Sequence, residues 1–255
     1  MSEIPEESGL KVVDAFDLDD ELRSILRPGE MIRDKNGRRH RLPRYFYEVE
    51  SKEEALDVDL APNFRLSELL LVDIKESPRL QAWPRFVPCV TRLLASYLQR
   101  MRDAAGMSVH VAVNGGYRSP AHQLAHLGTP HMWGTAADIY RVGTTILQDE
   151  SSIERFRKIF SEISDELWVM PYGHEPGTSD DHIHVDLGYI LLIPREMSED
   201  RMEVQQQQPR FAFEERRRGD RRRGRSEPDR RETDPGESDP GETDEPVVGD
   251  EAGAD

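Results

Sequence analysis

Residues 180–188 read Asp-Asp-His-Ile-His-Val-Asp-Leu-Gly, DDHIHVDLG. They open a segment, His182 to Ile193, that reads as a strand or hairpin arm. Residues two apart on a strand share a face, so His182 and His184 point the same way. Upstream, Val109, Val111 and Val113 alternate with His110, Ala112 and Asn114, which predicts a second strand with one buried face. Leu167 to Met170 is a short third strand. Pro84 to Ala105 reads as one amphipathic helix, with Phe86, Val90, Leu93, Leu94, Tyr97, Leu98 and Met101 at steps of three and four, stopped by Gly106. A further helix has Ser152 as its cap and Ile153, Phe156, Ile159, Phe160 and Ile163 as its apolar face. Few strands, separate helices and no repeated β-α-β pattern predict an α+β fold: a small antiparallel sheet with flanking helices.

The 255 residues are 36% hydrophobic and 33% charged, with a net charge of −16. Such a chain is not expected to pack from end to end, because its most polar stretches cannot bury enough apolar surface to offset ordering entropy. Three regions are expected. Residues 1–62 are acid-rich and weakly patterned, an irregular segment apart from the basic GRRHRLPR stretch and a strand at Arg44 to Val49. Residues 63–200 hold the compact domain. Residues 201–255 run through four glutamines, a block with nine arginines at 216–231, and ten acids with no base at 232–255. That tail is expected to be disordered. Its Arg block would either pair with the acidic end or contact an anionic polymer such as nucleic acid, teichoic acid or phospholipid.

The acidic balance disfavours a protein that coats DNA. No apolar run approaches the ~20 residues of a membrane helix. The start, MSEIPEESGLKVVDAFDLDDE, has neither the positive nor the apolar region of a Sec signal, which predicts a cytoplasmic protein or one exported by another route. A single cysteine, Cys89, excludes an internal disulfide and a Cys-based zinc cage, and reads as a small core residue.

The chemistry lies in the placement of the histidines. His131 precedes Asp138 by seven residues in HMWGTAAD, and Asp181, His182, His184 and Asp186 follow about fifty residues on. Two imidazoles and a carboxylate are a typical catalytic zinc set, leaving one position for water, whose pKa the ion lowers towards ~7. Gly134 and Ala136 allow close backbone passage beside the first pair. His122 and His126, four apart on an expected helix from Ser119-Pro120, lack the Glu of HExxH and read as surface histidines.

VNGGYRSPAHQ, TPHMWGTAADI and DDHIHVDLG together resemble the three motif blocks of the M15-type zinc peptidases, the D-alanyl-D-alanine carboxypeptidases related in fold to the Hedgehog signalling domain. The resemblance covers Phe64 to Leu192, about half the chain. It implies one zinc ion held by His131, Asp138 and His184. It implies Asp181 as general base, with Asp180 as the competing candidate, since Asp181 must sit in a loop or bulge before the strand to reach the metal of His184. It implies Arg118 stabilising the charge on the scissile carbonyl oxygen, or alternatively pairing a buried carboxylate. His182 would line the site and donate to substrate, and Asp186 would support the ligands. Trp133 and Tyr117 are core or groove wall, and His174 borders the cleft. The implied substrate is a peptidoglycan stem or cross-link peptide, cut by a carboxypeptidase or endopeptidase. The rival implied by the Hedgehog-type relatives is a non-catalytic zinc module that binds wall peptide or a protein. Neither reading sets the oligomeric state.

Overall fold

In a computed structural model, which describes residues 9–125, 128–195 and 197, the chain is α+β with small antiparallel sheets. In chain order the elements are β1 (Lys11–Asp14), α1 (Asp20–Leu26), β2 (Met31–Arg33), β3 (Arg39–Arg41), β4 (Tyr45–Val49), α2 (Lys52–Asp57), β5 (Asp59–Ala61), β6 (Phe64–Arg65), α3 (Leu66–Leu69) and α4 (Pro78–Gln81). Then come β7 (Arg85–Pro88), α5 (Thr91–Ala105), β8 (Val109–Val111), β9 (Ala136–Val142), β10 (Thr145–Ile146), α6 (Glu150–Ser161), β11 (Trp168–Val169) and β12 (Ile183–Asp186). A short 3-10 helix, Pro130–Trp133, precedes β9. No helix among the described residues is long and apolar enough to cross a membrane.

The strand β9 is the hub of the main sheet. It pairs antiparallel with β12, β8 and β10, and β11 extends the sheet beyond β12. The register sets Ile183 opposite Ile139, His184 opposite Asp138, Val185 opposite Ala137 and Asp186 opposite Ala136. Alternation then sorts the pair into two faces. Ala137, Ile139, Ile183 and Val185 join the main core with Leu94, Leu98 and Met101 of α5 and Phe156 and Phe160 of α6. Asp138, His184 and Asp186 occupy the opposite face, yet they too are buried.

The segment expected to be irregular is structured. Residues 9–62 contribute five strands, two α-helices and a 3-10 helix at Ala15–Asp17, and Leu22, Leu26, Phe46 and Val49 sit in the core. Local chemistry explains the elements. The Asp19 carboxylate accepts the Leu22 N–H and caps α1, and Ser51 accepts the Glu54 N–H and caps α2. No boundary falls near residue 62: β5 pairs with β6, and a three-strand sheet runs β1-β4-β7. All described residues lie in one compact unit, Met1–Gln208. The tail from 201 to 255, its Arg block and its expected disorder lie outside the described residues.

Four element expectations need correction. The helix from Pro84 is a strand, β7, followed by α5 from Thr91. Pro88 explains it: proline has no N–H to donate within a helix and biases Val87 towards extended backbone, where β4 pairs with it. The cap of α6 is Asp149, which accepts the Ser152 N–H at 3.0 Å, so Ser152 is already inside the helix. The last strand ends at Asp186 and does not run to Ile193, because Gly188 turns the chain at φ 72°. The valine strand also closes early, at Val111, leaving Val113 exposed.

Gly116 marks the tightest approach between the motif loop and the body. A Cβ there would lie 2.3 Å from the Leu69 carbonyl oxygen and 2.7 Å from its carbon. Both are backbone atoms and cannot swing aside. Gly116→Ala should therefore lower the thermal midpoint, losing roughly 1–3 kcal/mol as the backbone shifts. A midpoint equal to wild type in a calorimetric melt would show that the loop yields freely.

Candidate metal centre

Three elements bring the ligand set together. The 3-10 helix supplies His131, β9 supplies Asp138 and β12 supplies His184. One ligand atom from each lies within 4.8 Å of the others, and all three residues are buried. The Asp138 Oδ1 atom is the focus. It is 2.8 Å from His184 Nδ1, 3.2 Å from His131 Nε2 and 3.5 Å from His182 Nε2.

Every other polar atom of the triad is tied down, which makes the remaining three converge. His131 Nδ1 donates to the Gly116 carbonyl at 2.8 Å. Since a carbonyl only accepts, Nε2 carries the lone pair when the ring is neutral. His184 Nε2 donates to Asp186 Oδ2 at 3.2 Å, in the manner of a carboxylate orienting a metal-bound imidazole. Asp138 Oδ2 is taken by the Arg118 guanidinium, so Oδ1 faces inward. This donor set fits one divalent cation with three protein ligands and a further position for an outside group.

The electrostatics agree. Burial would raise Asp138, but the three imidazoles around it hold it well below the usual carboxylate range. Burial dominates at His131 and lowers it, so that ring is a neutral donor. His184 goes the other way: burial would lower it, but its hydrogen bonds to Asp138 and Asp186 raise it to about 9. Without a metal, the His184 imidazolium therefore supplies the cation that its two carboxylates demand.

No family model, curated protein or solved structure matches the chain. The site thus rests on its own geometry.

A collar built from Asn114-Gly115-Gly116-Tyr117-Arg118 holds the ligands. The Gly115 carbonyl accepts the Asp138 N–H at 2.8 Å, and the Gly116 carbonyl accepts His131. The Asn114 carbonyl accepts Arg118 Nε, whose other arm grips Asp138. Asn114 itself has φ 61°, a backbone conformation that asparagine tolerates better than most residues. His122 holds the Asn114 side chain, with Nε2 donating to Oδ1 at 3.1 Å. His122 is thus not a surface residue: it is 3% exposed and lies in a series of turns, because its Nδ1 accepts the Leu124 N–H where a helix would have begun. His126, its expected partner, lies outside the described residues. Glu76, buried, accepts the N–H and hydroxyl of Ser119 and fixes the far end of the collar.

The remaining site residues divide by position. Asp181 and His182 sit in the bend before β12, which starts at Ile183. The Asp181 carboxylate points outward and binds His182 Nδ1, so it reaches the triad only through that ring. Burial would lower His182, but Asp138 and Asp181 together raise it. Asp180 is committed to His174 Nδ1 at 2.9 Å on the exposed loop. Trp133 and Tyr117 are both buried; the Trp133 indole donates to the Arg41 carbonyl at 2.8 Å. Sequence reasoning missed Asn114, His122 and Glu76, because their parts are played through backbone atoms and turn contacts that leave no spacing signature.

Two outcomes test this centre. A raised His184 stabilises the metal-free fold fully below its unfolded value of 6.5, and that stabilisation is lost as pH rises through about 9. Metal-free protein should therefore melt at progressively lower temperature across that window. Metal affinity should move oppositely, gaining about tenfold per pH unit over the same range as the proton it displaces becomes easier to lose. Isothermal titration at stepped pH reads both the affinity and the released proton; a pH-independent affinity would remove His184 from the ligand set. Separately, Asp186→Asn should weaken metal binding roughly 10–100-fold with the fold intact, since the amide oxygen can still accept the Gly188 N–H while the carboxylate that orients His184 is lost. Competition with a chromogenic chelator measures that loss.

Proposed function

We propose that this chain is a zinc-dependent peptidase acting on peptidoglycan stem or cross-link peptides. The observation that carries the reading is the convergence of His131 Nε2, Asp138 Oδ1 and His184 Nδ1, with the Asp181–His182 pair beside the same carboxylate oxygen. Zinc in such a donor set lowers the pKa of water and polarises a carbonyl group. The wall-peptide substrate comes from the resemblance of the three motif blocks to the M15-type peptidases. Both carboxypeptidase and endopeptidase action fit that reading.

In this reading, His131, Asp138 and His184 hold the ion. Asp181 and His182 handle the proton: the ring nitrogen Nε2 lies on the ligand side, and Nδ1 is backed by the Asp181 carboxylate. The pair accepts a proton from the attacking water and returns it to the leaving amine. Arg118 acts by fixing Asp138, because its guanidinium is engaged by that carboxylate and by the Asn114 carbonyl.

Defined muropeptides incubated with the full chain and zinc, and followed by mass spectrometry, test the reading. Wild type should release product. His184→Ala should abolish it together with zinc binding. Asp181→Asn should keep zinc and lower the rate by about 10²–10⁴-fold, the usual contribution of a positioned acid–base group. Zinc binding and stabilisation without any product would instead mark the chain as a non-catalytic zinc module that recognises such peptides.

A further inference from the structure

The hairpin β2–β3 concentrates positive charge on an acidic chain. Residues 33–41 hold Arg33, Lys35, Arg38, Arg39 and Arg41 within a protein of net charge −16. The one acid among them, Asp34, is turned inward, where its carboxylate accepts the backbone N–H groups of Asn36 and Arg38 and lies 3.0 Å from His40 Nε2. All five bases are exposed, and none has a carboxylate partner among the described residues.

The register decides which way they face. Met31 opposes Arg41, Ile32 opposes His40, and Arg33 opposes Arg39. Ile32 packs against the Leu42-Met132-Trp133 cluster, and the His40 ring stacks on Tyr189 at 3.6 Å. Alternation then sends Met31, Arg33, Arg39 and Arg41 to the outer face. Arg33 and Arg39 are directly opposite each other, an unfavourable like-charge pair that the fold leaves uncompensated. Among the described residues their work for the fold is slight: Arg33 donates to the Gly37 carbonyl and Arg41 to the Gly29 carbonyl at 3.5 Å.

We propose that this outer face binds a flexible phosphodiester polymer that carries no bases, of the polyol-phosphate type. The guanidinium fork matches phosphate oxygens in a bidentate manner. Two arginines on one strand stand roughly 6.8 Å apart, and a third lies about 5 Å across the ladder, which suits an extended chain with one charge per repeat. Proteins that bind single-stranded nucleic acid combine such charge with aromatic platforms for the bases. Among the described residues the hairpin's own outer face carries no ring: His40, Tyr189 and Trp133 are packed together on the inner side. The nearest exposed ring, Phe16, lines a cavity with Arg41 and has the Arg44 guanidinium 4.6 Å above it, which occupies that face of the ring. The hairpin is also fastened beside the metal centre, since the Arg41 carbonyl accepts the indole of Trp133, two residues from His131. The inference goes beyond the peptidase reading and does not depend on it.

The test uses the full chain and fluorescein-labelled poly(glycerol phosphate), read by anisotropy at 50–200 mM salt. Arg33→Gln/Arg39→Gln/Arg41→Gln should weaken binding at least tenfold at the lowest salt, a loss on the order of that expected for three phosphate contacts, and flatten the salt slope by about 2. The melting temperature and metal-induced shift of the triple variant should match wild type, showing that the fold stands. Wild-type affinity in the triple variant would overturn the proposal and assign binding to other bases, such as the 216–231 block. Equal or tighter binding of single-stranded DNA through the same three arginines would overturn the choice of polymer.

Discussion

Everything about the candidate centre depends on one pairing, His184 opposite Asp138 between β12 and β9. A strand has a period of two, so a register shift of a single residue would send its whole side-chain set to the other face. Here that shift would press Asp138 or His184 into the layer now filled by Ala137, Ile139, Ile183 and Val185. The penalty for burying an unpaired charge there is several kcal/mol. The apolar face therefore fixes the register, and the register places the ligands. Stability and site geometry are selected by the same alternation.

Burial of the polar face creates the second constraint. Asp138 and Asp186 face His131, His184 and Arg118 with little water. Such a cluster holds only if its charges balance and its hydrogen bonds are complete. The collar answers both needs with backbone carbonyls, which hold the His131 ring, the Asp138 backbone and the Arg118 guanidinium without adding charge. Its two glycines are required by proximity: Gly115 lies against Asp138 and Gly116 against Leu69, with no room for a Cβ at either. This accounts for a Gly-Gly pair in the motif in physical terms. Without a metal, the His184 proton supplies positive charge at the place where a divalent ion would supply it.

How much of this could be read from the sequence follows from how local each feature is. The fold class and the grouping of His131, Asp138 and His184 were legible, the first from apolar periodicity and the second from a set of three motif blocks. The helix from Pro84 was misread because Phe86 and Val90 fit a helical stripe as well as a strand; the absent N–H of Pro88 was the better signal. Residues 9–62 looked irregular because their strands are three to five residues long, too short for a periodic pattern to emerge. His122 looked like half of an i, i+4 surface pair. Its burial depends on Asn114, eight residues away, a contact made by turns and not by any regular element.

The N-terminal segment proves to be part of the site's foundation. Trp133 is fully buried, hydrogen-bonded to Arg41 and packed with Leu42, Met132 and Tyr189. It lies two residues from His131 on a single 3-10 turn that Gly134 closes at φ 70°. A turn that short has too few internal hydrogen bonds to hold a ring in place by itself. The position of His131 is therefore set from two sides, by the Gly116 carbonyl and by the indole anchored on β3. Tyr189, which follows β12, stacks on His40 of the same strand and ties the His184 side of the centre to that anchor. Two of the three ligands thus lean on residues 40–42, so residues 9–62 belong to the same structural unit as the chemistry they precede.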